Sequence, residues 1–105
     1  MVEVNWTTDA IEDIDGIAVY IARDSPRSAQ NMVDRFFDAS ELLVHHPLRG
    51  KPVPEVNSTA IRELLVGSYR LIYLVVNSER VDILAVHHQK RKSPRGIIVK
   101  RIRKR

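Results

Sequence analysis

The sequence AIRELLVGSYRLIYLVVNSERVDILAVHH occupies residues 60–88 and holds three runs rich in β-branched, aromatic and other apolar residues. These runs are 60–66, 69–77 and 81–88. Gly67-Ser68 separates the first two runs and Ser78-Glu79-Arg80 the last two, and both separators are short enough for hairpin turns. The stretch therefore predicts an antiparallel meander of three strands.

A short strand and an amphipathic helix are predicted at the N-terminus. Residues 2–6 alternate apolar and polar side chains, which is typical of a strand with one buried face. Apolar residues then recur at three- and four-residue spacing, which marks an amphipathic helix. Thr7 or Thr8 caps this helix, which should extend to about Asp24.

A second helix is predicted directly after the first. Ser25 suits the N-cap, Pro26 suits the first helical position, and Pro47 with Gly50 ends the helix near His46. Each helix carries a single apolar stripe, which a sheet face would bury. We therefore predict an α+β fold of order β-α-α-β-β-β, a two-helix hairpin packed on one face of an antiparallel sheet that includes the first strand. The predicted core residues are Ile11, Ile14, Ile21, Val33, Phe36, Leu43, Leu71, Tyr73 and Ile83.

Two segments lie outside this pattern. Residues 47–59 are rich in proline and small polar residues and predict an irregular loop, a kind of segment that often carries function. Residues 89–95 also predict a loop, and residues 96–105 are compatible with a strand, a helix or a disordered arm. We accordingly divide the chain into one domain, residues 1–92, and a basic C-terminal extension, residues 93–105.

Composition limits the class of protein. The chain has 105 residues and no cysteine, which fits one compact domain and excludes disulfides and cysteine-ligated metals. The longest uncharged apolar run, residues 71–76, is too short to span a bilayer, and the N-terminus lacks the pattern of a signal peptide. We therefore expect a cytoplasmic protein without membrane contact.

The charge is distributed unevenly along the chain. All thirteen acidic residues lie in residues 1–82, where eight Lys and Arg leave a net charge of 8 − 13 = −5. Residues 83–105 hold nine Lys and Arg and no acid, so this segment alone carries +9. Such a distribution favours a polyanion or an acidic partner near the C-terminal end, although a solvated basic tail explains it equally well.

Three features are candidates for chemistry: Arg70 in the second predicted strand, the pair His87-His88 at the end of the third, and Glu55 with Lys51 in the loop. Each also has a structural explanation, since strand arginines and loop carboxylates commonly form ordinary ion pairs. His87 and His88 should point to opposite faces of a strand, which places them poorly for binding one metal ion. We predict no metal site and no cofactor.

Read together, the order of elements and several motifs resemble the RelE/ParE toxins of type II toxin–antitoxin modules. The resemblance covers residues 2–91, and its most specific part is Tyr-Arg-Leu-Ile-Tyr at 69–73. Asn5-Trp6-Thr7 and the basic segment after the last predicted strand support it. The resemblance implies a cognate antitoxin that covers the basic surface with an acidic, amphipathic segment. It also implies one of two targets, because RelE-like members cleave messenger RNA on the ribosome whereas ParE-like members poison DNA gyrase.

Measured against the YoeB-type ribonucleases of this superfamily, three residues match or lie near catalytic positions. Arg70 matches the strand arginine, His88 falls at the position of the catalytic histidine, and Glu55 is shifted relative to the glutamate because Val53 stands at the matching place. The resemblance implies that Arg70 would stabilise charge on the phosphoryl oxygens, His88 would protonate the leaving 5′-oxygen and Glu55 would act as base. Nucleic-acid phosphates would be bound by Lys51, Lys90, Arg91, Lys92 and Arg95.

The resemblance leaves three functional readings. The first is a metal-independent, ribosome-dependent mRNA endoribonuclease. The positions of Arg70 and His88 favour this reading, and it is our prediction from sequence. The second is a ParE-like gyrase inhibitor. The third is a non-catalytic module that binds an antitoxin, and with it operator DNA, which the departures at Val53 and Leu65 would fit.

Overall fold

A computed structural model describes residues 1–91 and 95–105. The predicted order of elements is confirmed, with a two-residue strand added inside the predicted loop. Lys92 and the predicted domain boundary after it lie outside the described residues. The elements are β1 (Glu3–Trp6), α1 (Thr8–Ala22), α2 (Pro26–His45), β2 (Lys51–Pro52), β3 (Ile61–Val66), β4 (Tyr69–Asn77), β5 (Arg80–His88) and α3 (Arg95–Lys104).

The two long helices begin where their sequence signals predict. The Thr7 hydroxyl accepts a hydrogen bond from the Ala10 N–H at 3.2 Å, and the Ser25 hydroxyl accepts one from the Ser28 N–H at 3.1 Å. Pro26 occupies the first turn of α2, where its missing N–H costs nothing. Among the described residues, no helix combines the length and the apolar character that crossing a membrane requires.

The sheet has five strands in the order β1-β5-β4-β3-β2. The predicted antiparallel meander of β3, β4 and β5 is confirmed. The prediction of an entirely antiparallel sheet is corrected at one edge, since β1 pairs with β5 in parallel, from Glu3 opposite Arg80 to Trp6 opposite Ile83. No hairpin joins these two strands, so no tight turn forces them to run in opposite directions.

Helices cover both faces of the sheet. The pair α1 and α2 packs on one face, where six of the predicted core residues are buried: Ile14, Phe36, Leu43, Leu71, Tyr73 and Ile83. The predicted core residue Ile11 packs at the border of this cluster, while Ile21 and Val33 are only half-buried. On the opposite face, Ile98 of α3 is fully buried against Ile72 and Leu84. The last segment of the chain, for which sequence left three conformations open, is thus a helix that closes a second core.

One extra residue in β5 changes which side chains share a face. Tyr73 lies opposite Ile83, but Ile72 lies opposite Ala85, so Leu84 is a β-bulge between the two pairs. Leu84 and Ala85 both pack in the core beneath α3. Beyond the bulge, the alternation of side chains along β5 continues with its phase shifted by one residue.

We predict that Phe36→Ala lowers the free energy of unfolding by about 3–5 kcal/mol, because the ring is fully buried and packs edge-on against Tyr69 with centroids 5.6 Å apart. Phe37→Ala on the same helix is the matched control and should cost less, because Phe37 keeps 40% of its surface exposed. Urea unfolding of both variants measures the difference. Equal losses would mean that the buried face of α2 is misassigned.

Candidate functional site

The structure joins two of the three predicted catalytic residues, Arg70 and Glu55, in one ion pair. Arg70 lies in β4 on the face covered by α3, and Glu55 lies in the loop between β2 and β3. The Arg70 Nη1 and Nη2 atoms donate to Glu55 Oε2 at 2.8 Å and Oε1 at 2.7 Å, the bidentate geometry that a guanidinium favours with a carboxylate. The Arg70 Nε atom donates to Glu63 Oε1 at 2.7 Å. All three guanidinium nitrogens are therefore engaged by carboxylates.

Charge within this cluster is balanced. Glu63 is buried in β3, and Lys51 Nζ lies 3.7 Å from its Oε2 atom. The hydrogen bonds that Arg70 donates to Glu55, and secondarily to Glu63, raise the pKa of Arg70 above its usual value. The hydrogen bond from Arg70 in turn lowers the pKa of Glu55 below 4.5. Two cations and two anions thus neutralise one another, with Arg70 and Glu63 buried and Lys51 exposed to solvent.

His88, the third predicted catalytic residue, lies on the opposite face of the sheet from Arg70. His88 is directly opposite Tyr69 in the ladder, with the two rings edge-on at a centroid distance of 5.4 Å. Arg70 is directly opposite His87 instead. Residues directly opposite in an antiparallel pair share a face, so Arg70 shares its face with His87. The expectation that His87 and His88 point to opposite faces is in accord with this register.

The sequence names His87 together with His88 as a candidate, but the catalytic role is predicted for His88 alone. The His87 side chain is 3% exposed, its Nε2 atom lies 3.6 Å from Asp13 Oδ2, and neither ring nitrogen has a hydrogen-bond partner among the described residues. Burial lowers the pKa of His87 to about 4; Asp13 opposes this shift, and the nearby Arg91 and Arg101 reinforce it. The imidazole is therefore neutral at pH 7. The β-bulge at Leu84 decides on which face of the sheet His87 lies, and no local pattern in the sequence predicts that bulge.

Asp13 and Arg101 form a second ion pair that sequence did not predict. β1 ends opposite Ile83, which leaves the edge of β5 open beyond that residue. Asp13 Oδ2 accepts a hydrogen bond from the Val86 N–H at 2.9 Å and another from Arg101 Nη1 at 2.6 Å. Arg101 Nη1 also donates to the Leu84 carbonyl at 2.9 Å. The pair thus supplies hydrogen-bond partners for the Val86 N–H and the Leu84 carbonyl at the open edge, and it holds α3 against the rest of the domain.

The predicted nucleic-acid-binding residues do not form one patch. Lys51 lies in β2 at one edge of the sheet, whereas Lys90 and Arg91 follow β5, and two strands, β3 and β4, lie between β2 and β5. Arg95 is exposed at the start of α3, and Lys92 is outside the described residues. All four described members of the set are exposed, but the sheet separates Lys51 from the others.

Comparisons with known proteins agree on a family. The sequence profile described as "ParE toxin of type II toxin-antitoxin system, parDE" matches residues 4–93. The chain is 33% identical over 91 residues to "Putative toxin Y4kP" of Sinorhizobium fredii, an alignment that covers 87% of this chain and 92% of that protein.

Two solved structures share the fold. One is a chain of the chromosomal ParDE system from P. aeruginosa, with a TM-score of 0.67 and 21% identity over 84% of this chain and 96% of that one. The other belongs to the toxin–antitoxin complex RelBE2 from Mycobacterium tuberculosis, with a TM-score of 0.54 and 29% identity over 83% of this chain and 96% of that one. Both ParE-type and RelE-type proteins are therefore similar to this chain.

The lowered pKa of Glu55 predicts a pH dependence of stability. The ionised carboxylate holds Arg70 only in the folded state, so its contribution is complete above the ordinary pKa of 4.5 and is lost as pH falls through the lowered folded value. The difference in unfolding free energy between wild type and Glu55→Gln should shrink on acidification below that range. Urea unfolding over a pH series measures it, with Glu41→Gln, an exposed helical carboxylate, as the control. A difference that is constant with pH would contradict the ion pair.

Removing the Arg70 side chain should lower the free energy of unfolding. Arg70→Ala leaves Glu63, whose side chain is 4% exposed, without its close hydrogen-bond donor, and we predict a loss of about 3–5 kcal/mol. Arg27→Ala, at an exposed position of α2, should change stability by less than about 0.5 kcal/mol. Thermal and urea unfolding test both variants. An Arg70→Ala protein as stable as wild type would show that this cluster does not support the fold.

Proposed function

This chain belongs to the ParE toxin family of type II toxin–antitoxin systems, and we propose that it acts by binding a protein target, DNA gyrase, rather than by cleaving RNA. The observation that carries the proposal is the state of Arg70. Its Nη1 and Nη2 atoms are both held by Glu55 and its Nε and Nη2 atoms face Glu63, so carboxylates occupy both bidentate edges of the guanidinium and a phosphate would have to displace one of them.

Cleavage of RNA without a metal needs a base, an acid and a cation that converge on one phosphate. In this chain the predicted base, Glu55, is already the partner of the predicted cation, Arg70, and the predicted acid, His88, lies on the other face of the sheet. The buried Glu63 carboxylate would also repel a phosphate that approached Arg70. A ribonuclease built on these three residues would first have to break the ion cluster and bring His88 across the sheet.

We further propose that a cognate antitoxin neutralises the toxin. The similar structures from P. aeruginosa and M. tuberculosis are described as a ParDE system and a RelBE2 toxin–antitoxin complex. Lys90, Arg91 and Arg95 are exposed near the start of α3, and an acidic segment that covers them would match their charge. Both partners would meet in the cytoplasm, where gyrase acts.

The purified protein should inhibit supercoiling by DNA gyrase and should leave messages intact in a translating extract. The two assays are run with the same preparation, and addition of the purified antitoxin is the matched control, since it should restore supercoiling. Induced expression with and without the antitoxin gene reports toxicity in the cell.

Other results would replace the proposal with one of its alternatives. Messages broken to ends with a 2′,3′-cyclic phosphate, with supercoiling unaffected, would establish the ribosome-dependent endoribonuclease. Normal growth at good expression, together with antitoxin binding and neither activity, would establish the non-catalytic antitoxin-binding module.

A further inference from the structure

The exposed side of α3 carries a row of positive charges. At about 100° per residue, Arg95, Lys100 and Arg103 fall within an arc of about 140° around the helix, on the side away from the buried Ile98. All three residues are exposed, and no acidic group among the described residues lies within salt-bridge distance of their side chains. We call these three residues the outer cations of α3.

The other three cations of this segment hold α3 in place. Each pairs with a carboxylate of the domain: Arg101 with Asp13, Lys104 with Asp9 and Arg105 with Asp82. The outer cations make no such pair, and Lys100 and Arg103 are three residues apart, a spacing at which like charges on a helix repel each other. The outer cations therefore weaken the helix slightly, and a partner of opposite charge would offset that repulsion.

The surroundings of the outer cations do not neutralise them. Residues 83–105 contain no acid, so α3 has none of its own. Asp9 of α1 lines a small cleft with Lys100, but Lys104 Nζ already pairs with Asp9 at 3.1 Å. The outer face of α3 therefore presents net positive charge to solvent, which favours an anionic partner.

The composition of this face distinguishes among anionic partners. Residues 89–105 contain no aromatic residue, and the exposed large apolar side chains of the described chain all lie within residues 1–65. A protein partner is usually held by aromatic and apolar anchors, and a single-stranded nucleic acid by stacking of its bases on aromatic rings. The backbone of a duplex needs only cations, because its phosphates carry the charge and its bases are stacked inside. The face therefore fits a duplex backbone best.

The spacing of the outer cations matches a row of phosphates. Arg95 and Arg103 are eight residues apart, which is about 12 Å along the helix axis. Successive phosphates of one DNA strand are about 3.4 Å apart along the duplex axis, so a helix lying beside the strand would face about three or four of them. The ion pairs of Arg101 and Arg105 fix α3 on the domain, so the outer cations are held in place before DNA binds.

We propose that the outer face of α3 binds the phosphate backbone of double-stranded DNA without reading its base sequence. Arg95, Lys100 and Arg103 each pair with a phosphate of one strand. The choice of DNA over duplex RNA rests on the proposed function, since gyrase acts on duplex DNA and a toxin held on the same molecule would meet the enzyme more often. An antitoxin segment that covers Arg95 would compete with DNA for one end of this face.

Fluorescence anisotropy of a short labelled DNA duplex, titrated with the full-length protein over a salt series, tests the proposal. Two duplexes of unrelated sequence should bind equally, with a Kd of about 10⁻⁶ to 10⁻⁴ M at physiological salt. Three phosphate contacts predict a slope of log K against log salt of about −2.7, which corresponds to a loss of affinity of about 40-fold between about 50 and 200 mM salt. A single strand of the same sequence should bind more weakly and with a shallower slope.

Removal of the outer cations should weaken DNA binding without unfolding the protein. Arg95→Gln, Lys100→Gln and Arg103→Gln should each make the salt slope shallower by about 0.9 and weaken binding to both duplex sequences equally. The triple variant should lose most of the salt dependence. All variants should unfold at the same urea concentration as wild type, because the substituted residues are exposed and glutamine is a comparable helix former.

A second triple variant controls for net charge. Arg27→Gln, Arg35→Gln and Arg49→Gln remove the same three charges from exposed positions of α2 and of the loop that follows it. This variant should keep the salt slope of wild type. Equal weakening by the two triple variants would show that binding follows overall charge and not the face of α3, and would overturn the proposal.

Four further results would overturn the DNA-binding face. These are a salt slope close to zero, full binding by the triple variant of the outer cations, tighter binding of a single strand or an RNA duplex than of the DNA duplex, and tighter binding of polyglutamate than of the DNA duplex. The third result would assign the face to RNA, and the fourth would assign it to an acidic polypeptide.

The titrations contain no gyrase, so the two proposals can fail separately. A protein that binds duplex DNA through α3 but leaves supercoiling unaffected would overturn the gyrase proposal and not the DNA-binding face. Inhibition of gyrase by a protein that does not bind duplex DNA would do the reverse.

Discussion

The β-bulge at Leu84 is the constraint on which the relative positions of Arg70, His87 and His88 depend. On the side of the bulge nearer the turn between β4 and β5, Tyr73 pairs with Ile83. Had that register continued without the extra residue, Arg70 would lie opposite Val86, and Tyr69 would lie opposite His87. With the bulge, Arg70 lies opposite His87 and Tyr69 opposite His88. One inserted residue thus decides which histidine shares a face with the arginine, because a shift of one position moves every later side chain to the other face.

The second constraint is the apolar face that the two-helix hairpin leaves uncovered. Ile61, Ile72 and Leu84 point to that side, and an open sheet face of this character would be exposed to water without α3. Ile98 and Ile102 of α3 cover it. The positive charge of the C-terminal segment is therefore only partly available to a partner.

Several of the basic residues in that segment serve the fold. Arg101 pairs with Asp13, Lys104 Nζ lies 3.1 Å from Asp9, and Arg105 donates to the buried Asp82 at 2.6 Å. Burial alone would raise the pKa of the Asp82 carboxyl, but hydrogen bonds, among them that from Arg105, lower it on balance. Local charge in a sequence does not reveal such pairs, because their acidic members lie up to about a hundred residues away. A basic run can therefore be a set of structural anchors as well as a binding surface.

Sequence predicted what is local. Helix starts at Thr7 and Ser25 follow from capping chemistry, and the three long strands follow from apolar runs separated by turns. The direction of β1 and the bulge at Leu84 are set by pairing between distant segments, so no local sequence pattern predicts them. For the same reason, sequence named Arg70 and Glu55 as candidates without predicting that they bind each other.

The two buried polar groups that share a face differ in one decisive respect. Arg70 has every guanidinium nitrogen paired with a carboxylate, whereas the adjacent His87 has neither ring nitrogen paired within the described chain. A fully satisfied buried network stabilises and fixes a structure, while an unsatisfied buried group carries a free-energy cost that the fold must offset elsewhere. Resemblance to catalytic motifs draws attention to Arg70, and its pairing with two carboxylates gives it a part in holding the fold together. By the same criterion, the residue with hydrogen bonds still to make is His87.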